Sequence, residues 1–164
     1  MKTMEETMTV WRVFEEFVAS GEVVQLGISN CYDLRTFRHL YDRSEIKPKV
    51  LQNRFYADSG FDAGLREFCA ENGVTYQSFW TLTGNRQALG SRGWREVAEG
   101  KGLTPQTLMY AFMMTLGHTP LDGTTDEGHM EEDLDVMRRI QAGERILDGA
   151  EIAELSRMLG MPDR

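Results

Sequence analysis

Ser29 and Asn30 are the first residues in the chain whose types and place suggest chemistry. A hydroxyl followed by a carboxamide offers donors and acceptors together, which suits a small polar ligand. The pair closes a strand read over Glu22–Asn30, whose Val23, Val24, Leu26 and Ile28 form an apolar run too short for a buried helix. Such a run fits a strand covered on both faces, and ligands bind at the carboxyl ends of strands in parallel α/β sheets. The same pair could equally be a turn and cap for the next helix. Gln52 is either a ligand contact or a polar residue bonded within a sheet layer, and Phe79 and Trp80 are either a stacking surface or strand-end core. Glu131, Glu132, Asp133 and Asp135 read on their own as a solvated acidic helix face. Cys31 and Cys69 lack the spacing of metal ligands, so no metal site is expected. Cys69 falls on an apolar stripe and Cys31 reads as a semi-exposed thiol.

The elements that must position these residues follow from periodicity and punctuation. A helix over Thr9–Ser20 puts Val10, Phe14, Phe17 and Val18 on one stripe, and Gly21 ends it. Asp33 caps a second helix running toward Pro48, and Lys49–Tyr56 is a second strand. A loop at Ala57–Gly60 leads to a helix over Phe61–Asn72, and Val74–Leu82 is the third strand. Thr83–Gly93 is polar and glycine-rich and reads as a surface loop. A short helix over Trp94–Glu99 precedes one opened by Thr104-Pro105 and running to Leu116, with Met109, Met113 and Met114 as core filling. His118–Asp122 is a short fourth strand weakened by Pro120. Helices follow over Glu127–Gln141 and from Asp148 or Gly149 to Leu159, with a loose tail from Gly160 to Arg164.

Strands alternating with helices imply right-handed crossovers and a parallel sheet. The expected fold is α/β: a single domain over residues 1–164 that is a partial (β/α)8 TIM barrel, with about four parallel strands, flanking helices and an extra C-terminal helix. No Gly-x-Gly-x-x-Gly follows any strand, which counts against a Rossmann sheet. The net charge of -8 argues against nucleic-acid or anionic-membrane partners. No apolar run approaches the ~20 residues that cross a bilayer. Met1–Met8 lacks the apolar core of a secretion signal, so a cytoplasmic protein is expected.

Four stretches in this order resemble the carboxyl-terminal half of an aldo-keto reductase. They are Leu26-Gly27-Ile28-Ser29-Asn30, Lys47-Pro48-Lys49-Val50-Leu51-Gln52-Asn53, Ser78-Phe79-Trp80-Thr81-Leu82, and Gly123-Thr124-Thr125 followed by Glu131-Glu132-Asp133-Leu134, with Trp11-Arg12 ahead of them. The resemblance covers roughly Thr9 to Arg139. It implies an NAD(P)H-dependent oxidoreductase of carbonyl compounds on a (β/α)8 barrel, with NADP(H) favoured over NAD(H). By resemblance Ser29, Asn30 and Gln52 hold the nicotinamide carboxamide, Phe79 stacks under its ring in place of the usual tyrosine, and Leu82 contacts the region of the pyrophosphate. Thr124 and Thr125 stand for hydroxyl contacts to phosphate. His129 stands where an arginine often grips the 2'-phosphate or stacks on adenine, and Glu132-Asp133 take the place of the pair that bonds the adenine amine. Trp80 replaces a small residue, and Gly123 stands where many NADPH-selective members carry lysine.

The family's proton donor is a tyrosine supported by a lysine, an aspartate and a histidine, all from the first four strands, and the resemblance begins after them. Tyr32, Tyr41, Tyr56, Tyr76, Lys47, Lys49, Lys101 and the three histidines lie outside those motifs, so no catalytic residue is assigned. The expectation is a chain inactive alone, which takes a nicotinamide cofactor and a small carbonyl substrate once the barrel is completed. Its open sheet edges call for a homodimer or a complementing half-barrel. The alternative is a non-catalytic half-barrel interaction module or a truncated gene product.

Overall fold

The structure, a computed structural model, describes residues 3–162. In chain order it contains α1 (Met4–Ala19), β1 (Gly27–Ser29), α2 (Leu34–Arg43), β2 (Val50–Arg54), α3 (Ala63–Asn72), β3 (Thr75–Phe79), α4 (Arg86–Gly90), α5 (Arg92–Gly100), α6 (Pro105–Thr115), β4 (Thr119–Pro120), α7 (Glu127–Gln141) and α8 (Gly149–Leu159). The four strands are parallel and form one sheet in the order β1-β2-β3-β4, so each strand is followed by helix and then by its own neighbour. That is the expected α/β half-barrel pattern. The chain divides into two compact units, one holding the residues through Asn53 together with Asp62–Gln77, the other holding Arg54–Phe61 and the chain from Ser78 on.

In the first unit, Met8, Trp11, Leu26 and Leu40 form the core cluster, with Met4, Val18, Ile28 and Ile46 against it. Trp11 donates its indole N–H to the Ile46 carbonyl at 3.1 Å. The buried Glu15 carboxylate accepts from the Glu45 and Ile46 amides at 2.8 and 2.9 Å. These contacts correct the expected stripe of α1. Val10, Phe14 and Phe17 lie on the exposed side, and only Val18 of that set packs inward. The helix also begins before Thr9, because Thr3 and Glu6 close a reciprocal capping box.

β1 is shorter than the run Glu22–Asn30 suggests. Gly21 takes the left-handed cap (φ 80°), and the Glu22 and Val23 amides then both donate to the Phe17 carbonyl. This turn leaves Val24 94% exposed. Gly27 is held tightly, since a Cβ there would stand 2.9 Å from both the Cβ and the carbonyl oxygen of Val50.

The second unit is built around α6, which is buried on every side from Thr107 through Met113. Trp94 of α5 meets Phe112 edge-on and donates to the Pro105 carbonyl at 2.9 Å. Thr104 caps α6 with Pro105 in its first turn, as expected. The stretch read as a loop over Thr83–Gly93 contains a turn of 3-10 helix at Thr83–Asn85 and α4, and Ser91 caps α5 two residues earlier than expected. β4 keeps only two residues of His118–Asp122. α7 and α8 fall where periodicity puts them, each capped by an aspartate, Asp126 and Asp148. The expected loose tail ends at 163–164, and those two residues lie outside the described ones, as do Met1 and Lys2 at the start.

Cys31 is buried, contrary to its reading as a semi-exposed thiol. Burial pushes its pKa up to about 11, and that of Cys69 up to about 12. Among the described residues no three His, Cys, Asp or Glu side chains gather as metal ligands, and no helix is long and apolar enough to cross a membrane.

Candidate functional site

Within the first unit, β1 and β2 pair in the register Gly27↔Val50, Ile28↔Leu51, Ser29↔Gln52. Two of the predicted contacts thus sit side by side at the strand ends. Asn30 follows in a left-handed conformation (φ 58°), which asparagine tolerates better than most residues, and its amide donates to the Gln52 carbonyl at 3.0 Å. The Asn30 carboxamide N–H donates to Ser29 Oγ at 3.0 Å, while its oxygen accepts from the Tyr32 hydroxyl at 3.1 Å. Gln52 Nε2 donates to Gln77 Oε1 on β3 at 3.0 Å. Ser29, Asn30, Gln52 and Gln77 therefore form a patch of mixed donors and acceptors, with Ser29 and Asn30 exposed and the two glutamines half-buried. Such a patch can grip an amide, which needs both kinds of partner at once. Gln77 escaped the sequence reading. Its one signal was its place two residues before Phe79, on the same side of the strand.

A buried brace carries this patch. Asn53, one residue past Gln52 and so facing the other way, is fully buried. Its Oδ1 accepts from the Cys31 amide at 3.0 Å, and its Nδ2 donates to the Cys31 carbonyl and to Asp62 Oδ2, both at 2.8 Å. Tyr76 donates to the same Asp62 oxygen at 2.9 Å. Burial, reinforced by that carboxylate, pushes the Tyr76 phenol far above its ordinary range, so the hydroxyl serves as a fixed donor.

The second unit holds a cleft of about 520 Å³. Phe79 and Leu82 line it from the end of β3, Thr124 from the loop after β4, and His129, Glu132 and Asp133 from α7. Thr125, alone among the candidates in this unit, points elsewhere and is exposed. Trp80 also lines the cleft in a left-handed conformation (φ 58°), an uncommon strain for a bulky side chain. Its carbonyl accepts from the Gly84 amide at 2.8 Å, Tyr56 packs edge-on against its ring, and the Arg54 guanidinium lies 5.2 Å from its centroid. Arg54 also lies over Phe79, at 5.8 Å, so a cation stands beside both aromatics. The sequence reading assigned nothing to Arg54 or Tyr110.

The loop leading into α7 is wired to itself. Asp122 Oδ1 accepts from the Thr124 amide, Thr124 Oγ1 from the Asp126 amide, and Asp126 Oδ1 from the His129 amide, each at 3.0 Å. At the start of α7 the aspartate cap holds the His129 N–H, which is therefore not free for a ligand. Thr124 keeps its hydroxyl proton to donate, since its oxygen is the acceptor in the loop. Asp133 differs from the other acids of the helix. It is half-buried, one carboxylate oxygen is cut off from solvent with no hydrogen-bond partner, and desolvation raises its pKa against the lowering effect of the Thr107 hydroxyl. Burial and the nearby Asp122 also raise the pKa of Tyr110, whose hydroxyl remains protonated. The cleft floor is therefore a buried acceptor beside fixed hydroxyls, a receptor for an N–H donor.

No family model matches the chain. It is 26% identical over 129 residues to 2,5-diketo-D-gluconic acid reductase B of a Corynebacterium, covering 79% of this chain and 46% of that protein. It is 24% identical over 135 residues to a protein of Arabidopsis thaliana named as an aldo-keto reductase family 4 member, covering 79% of this chain and 42% of the relative. Among solved structures, an aldo-keto reductase from a deep-sea metagenome superposes with a TM-score of 0.83 at 15% identity, over 100% of this chain and 58% of its own. A mutant of Gox0644 in complex with NADPH matches with a TM-score of 0.75 at 21% identity, over 90% of this chain and 51% of its own. The curated and structural neighbours of the chain are aldo-keto reductases. Its fold is about half of the (β/α)8 barrel those neighbours build, and it spans less than half the length of the curated relatives named here.

Proposed function

We propose that the chain is the nucleotide-gripping, carboxyl-terminal half of an aldo-keto reductase barrel in the cytoplasm, binding NADP(H) in preference to NAD(H). The observation that carries this reading is the cleft that gathers Phe79, Leu82, Thr124, His129, Glu132 and Asp133. The orphaned Asp133 oxygen fits an adenine amine, which would supply the missing donor. Thr124 would donate to a phosphate oxygen, and His129 would face the 2'-phosphate. The mixed patch of Ser29, Asn30, Gln52 and Gln77 fits a carboxamide, and Phe79 offers a stacking face. When bound, the nicotinamide supplies or accepts hydride.

These 164 residues contribute orientation and no proton transfer. Tyr76 and Tyr110, whose phenols are pushed upward by burial, hold their protons. General acid catalysis is worth roughly 10²–10⁴ in rate. Reduction of a small carbonyl compound accordingly requires a complementary half that brings the tyrosine donor and its lysine, aspartate and histidine.

Fluorescence titration of the chain with NADPH and NADH tests the reading. Saturable NADPH binding, weakened about tenfold by Asn30→Ala or Gln52→Ala through loss of a hydrogen bond, is expected. Absence of detectable binding by both fluorescence and calorimetry refutes it.

A further inference from the structure

The cleft that gathers Phe79, Thr124 and Asp133 is poor in positive charge. Asp122, Glu132 and Asp133 line it together with His129, and among the described residues no lysine or arginine does. Gly123 adds no side chain to its loop, and Arg54 is engaged over the rings of Phe79 and Trp80. A nucleotide charged on its phosphates meets like charge there, in a chain whose net charge is already -8. The compensating cations have to stand beside the cleft.

They stand across its Leu82–Thr83 rim. A second pocket, of about 440 Å³, shares Leu82, Thr83 and Gln106 with the cleft, so the two adjoin along that wall. α4 and α5 bring Arg86 and Arg95 into it, and among the described residues no carboxylate lines it. Arg86 follows Asn85, whose buried side chain donates to the Phe55 and Thr81 carbonyls at 2.8 Å each and pins the turn. Arg95 donates to the Gly90 carbonyl at 2.5 Å, which aligns its guanidinium and leaves further N–H groups on it. Arg92 of the same helix is tied to Glu96 at 2.7 Å, whereas neither Arg86 nor Arg95 forms an ion pair among the described residues. Two forked cations without counter-ions, beside the Thr83 hydroxyl and the Gln106 carboxamide, make a receptor for phosphate oxygens.

We propose that Arg86 and Arg95 grip the diphosphate bridge of a nucleotide whose adenosine end fills the cleft. The bridge joins a ring stacked on Phe79 to an adenine at Asp133, and Leu82 and Thr83 follow Phe79 closely after β3. The diphosphate therefore passes the rim beside which the arginine pocket opens, while a 2'-phosphate belongs beside His129 on α7. The family resemblance gave neither arginine a role. This inference rests on the nucleotide reading for the identity of the ligand, and on the arginine pocket alone for its affinity for an anion.

Calorimetry on the whole chain with adenosine, ADP, 2'-AMP and inorganic pyrophosphate is the test. It compares the wild type with the double variants Arg86→Gln/Arg95→Gln and Arg86→Lys/Arg95→Lys. The wild type binds ADP more tightly than adenosine, and the glutamine variant loses ~10–100-fold on ADP while adenosine and 2'-AMP hold within about twofold. The lysine variant, which keeps the charge and loses the fork, falls between them. Pyrophosphate binds the wild type weakly and the glutamine variant not at all. Both positions are exposed, so an unchanged thermal melt shows that each variant folds. ADP bound no more tightly than adenosine, or an ADP affinity indifferent to the glutamine variant, overturns the proposal and leaves the nucleotide reading intact. A loss on 2'-AMP equal to that on ADP overturns the assignment to the diphosphate. If the three adenine compounds fail to bind while pyrophosphate binds through the arginines, the nucleotide reading fails and the anion receptor stands. If pyrophosphate fails as well, both fall.

Discussion

Replacing Asn53 by alanine should expose how much the polar patch depends on the brace beneath it. The side chain is fully buried and makes three hydrogen bonds, two of them to the backbone of Cys31, the residue after Asn30. Truncation leaves the buried Cys31 N–H and C=O without that partner and removes one donor from the Asp62 carboxylate, which keeps the Tyr76 hydroxyl. Each buried polar group deprived of its partner costs ~1–3 kcal/mol. Water entering the vacated space would recover part of this, so a destabilisation of about 3 kcal/mol is expected, a large fraction of the ~5–15 kcal/mol that folds a domain. Urea denaturation followed by circular dichroism measures it, with an unchanged slope showing that the unfolded state is the same. The Cys31 segment anchors Ser29 and Asn30, so NADPH affinity should fall alongside stability even though Asn53 contacts no ligand position. A loss below about 1 kcal/mol would refute the brace, because it would equate the three bonds with an exposed contact.

Two glycines should respond unequally to alanine. At Gly27 the new methyl meets the Val50 backbone at 2.9 Å, forcing β1 from β2 at a cost of ~1–3 kcal/mol, whereas at Gly93 it meets the flexible Met158 terminus, which can swing aside at under ~1 kcal/mol. Equal denaturation midpoints for the two variants would contradict this. Asp133→Asn should stabilise the protein near neutral pH and lose that advantage in acid. The folded pKa of Asp133 is raised by desolvation, so the folded state binds more protons between the ordinary carboxylate value and the raised one, and the wild type loses stability as pH rises through that window. Thermal melts of both proteins across pH 3–7 read the difference. A pH-independent gap would remove desolvation as its cause.

Much of the local structure was legible in the residues. The N-caps Asp33, Thr104, Asp126 and Asp148 each bond an amide three residues ahead, an interaction contained within one turn. The strand ends also lay near where their polar residues pointed, and Ser29 and Gln52 proved to be register partners. The periodicity of α1 misled because that helix carries two apolar stripes. Spacing cannot say which one faces Leu26 and Leu40, and the stripe with Trp11 does, aided by the indole bond to Ile46. β1 was overdrawn because apolar content reports a tendency to leave water, not whether a partner stands there. Val24 has none in the structure.

The sequence alone determined the alternation of strand and helix, the starts of α2, α6, α7 and α8, and the residue types at the strand ends, since caps, turns and periodicity act over a few neighbouring positions. Only the tertiary structure decided which face of α1 is buried, that Gln77 meets Gln52, that Asn53 ties Cys31 to Asp62, and that Asp133 keeps an unanswered oxygen in a cleft. Those outcomes depend on segments distant in the chain competing for one another's surfaces, and such competition is settled by packing and by the cost of burying unpaired polar atoms.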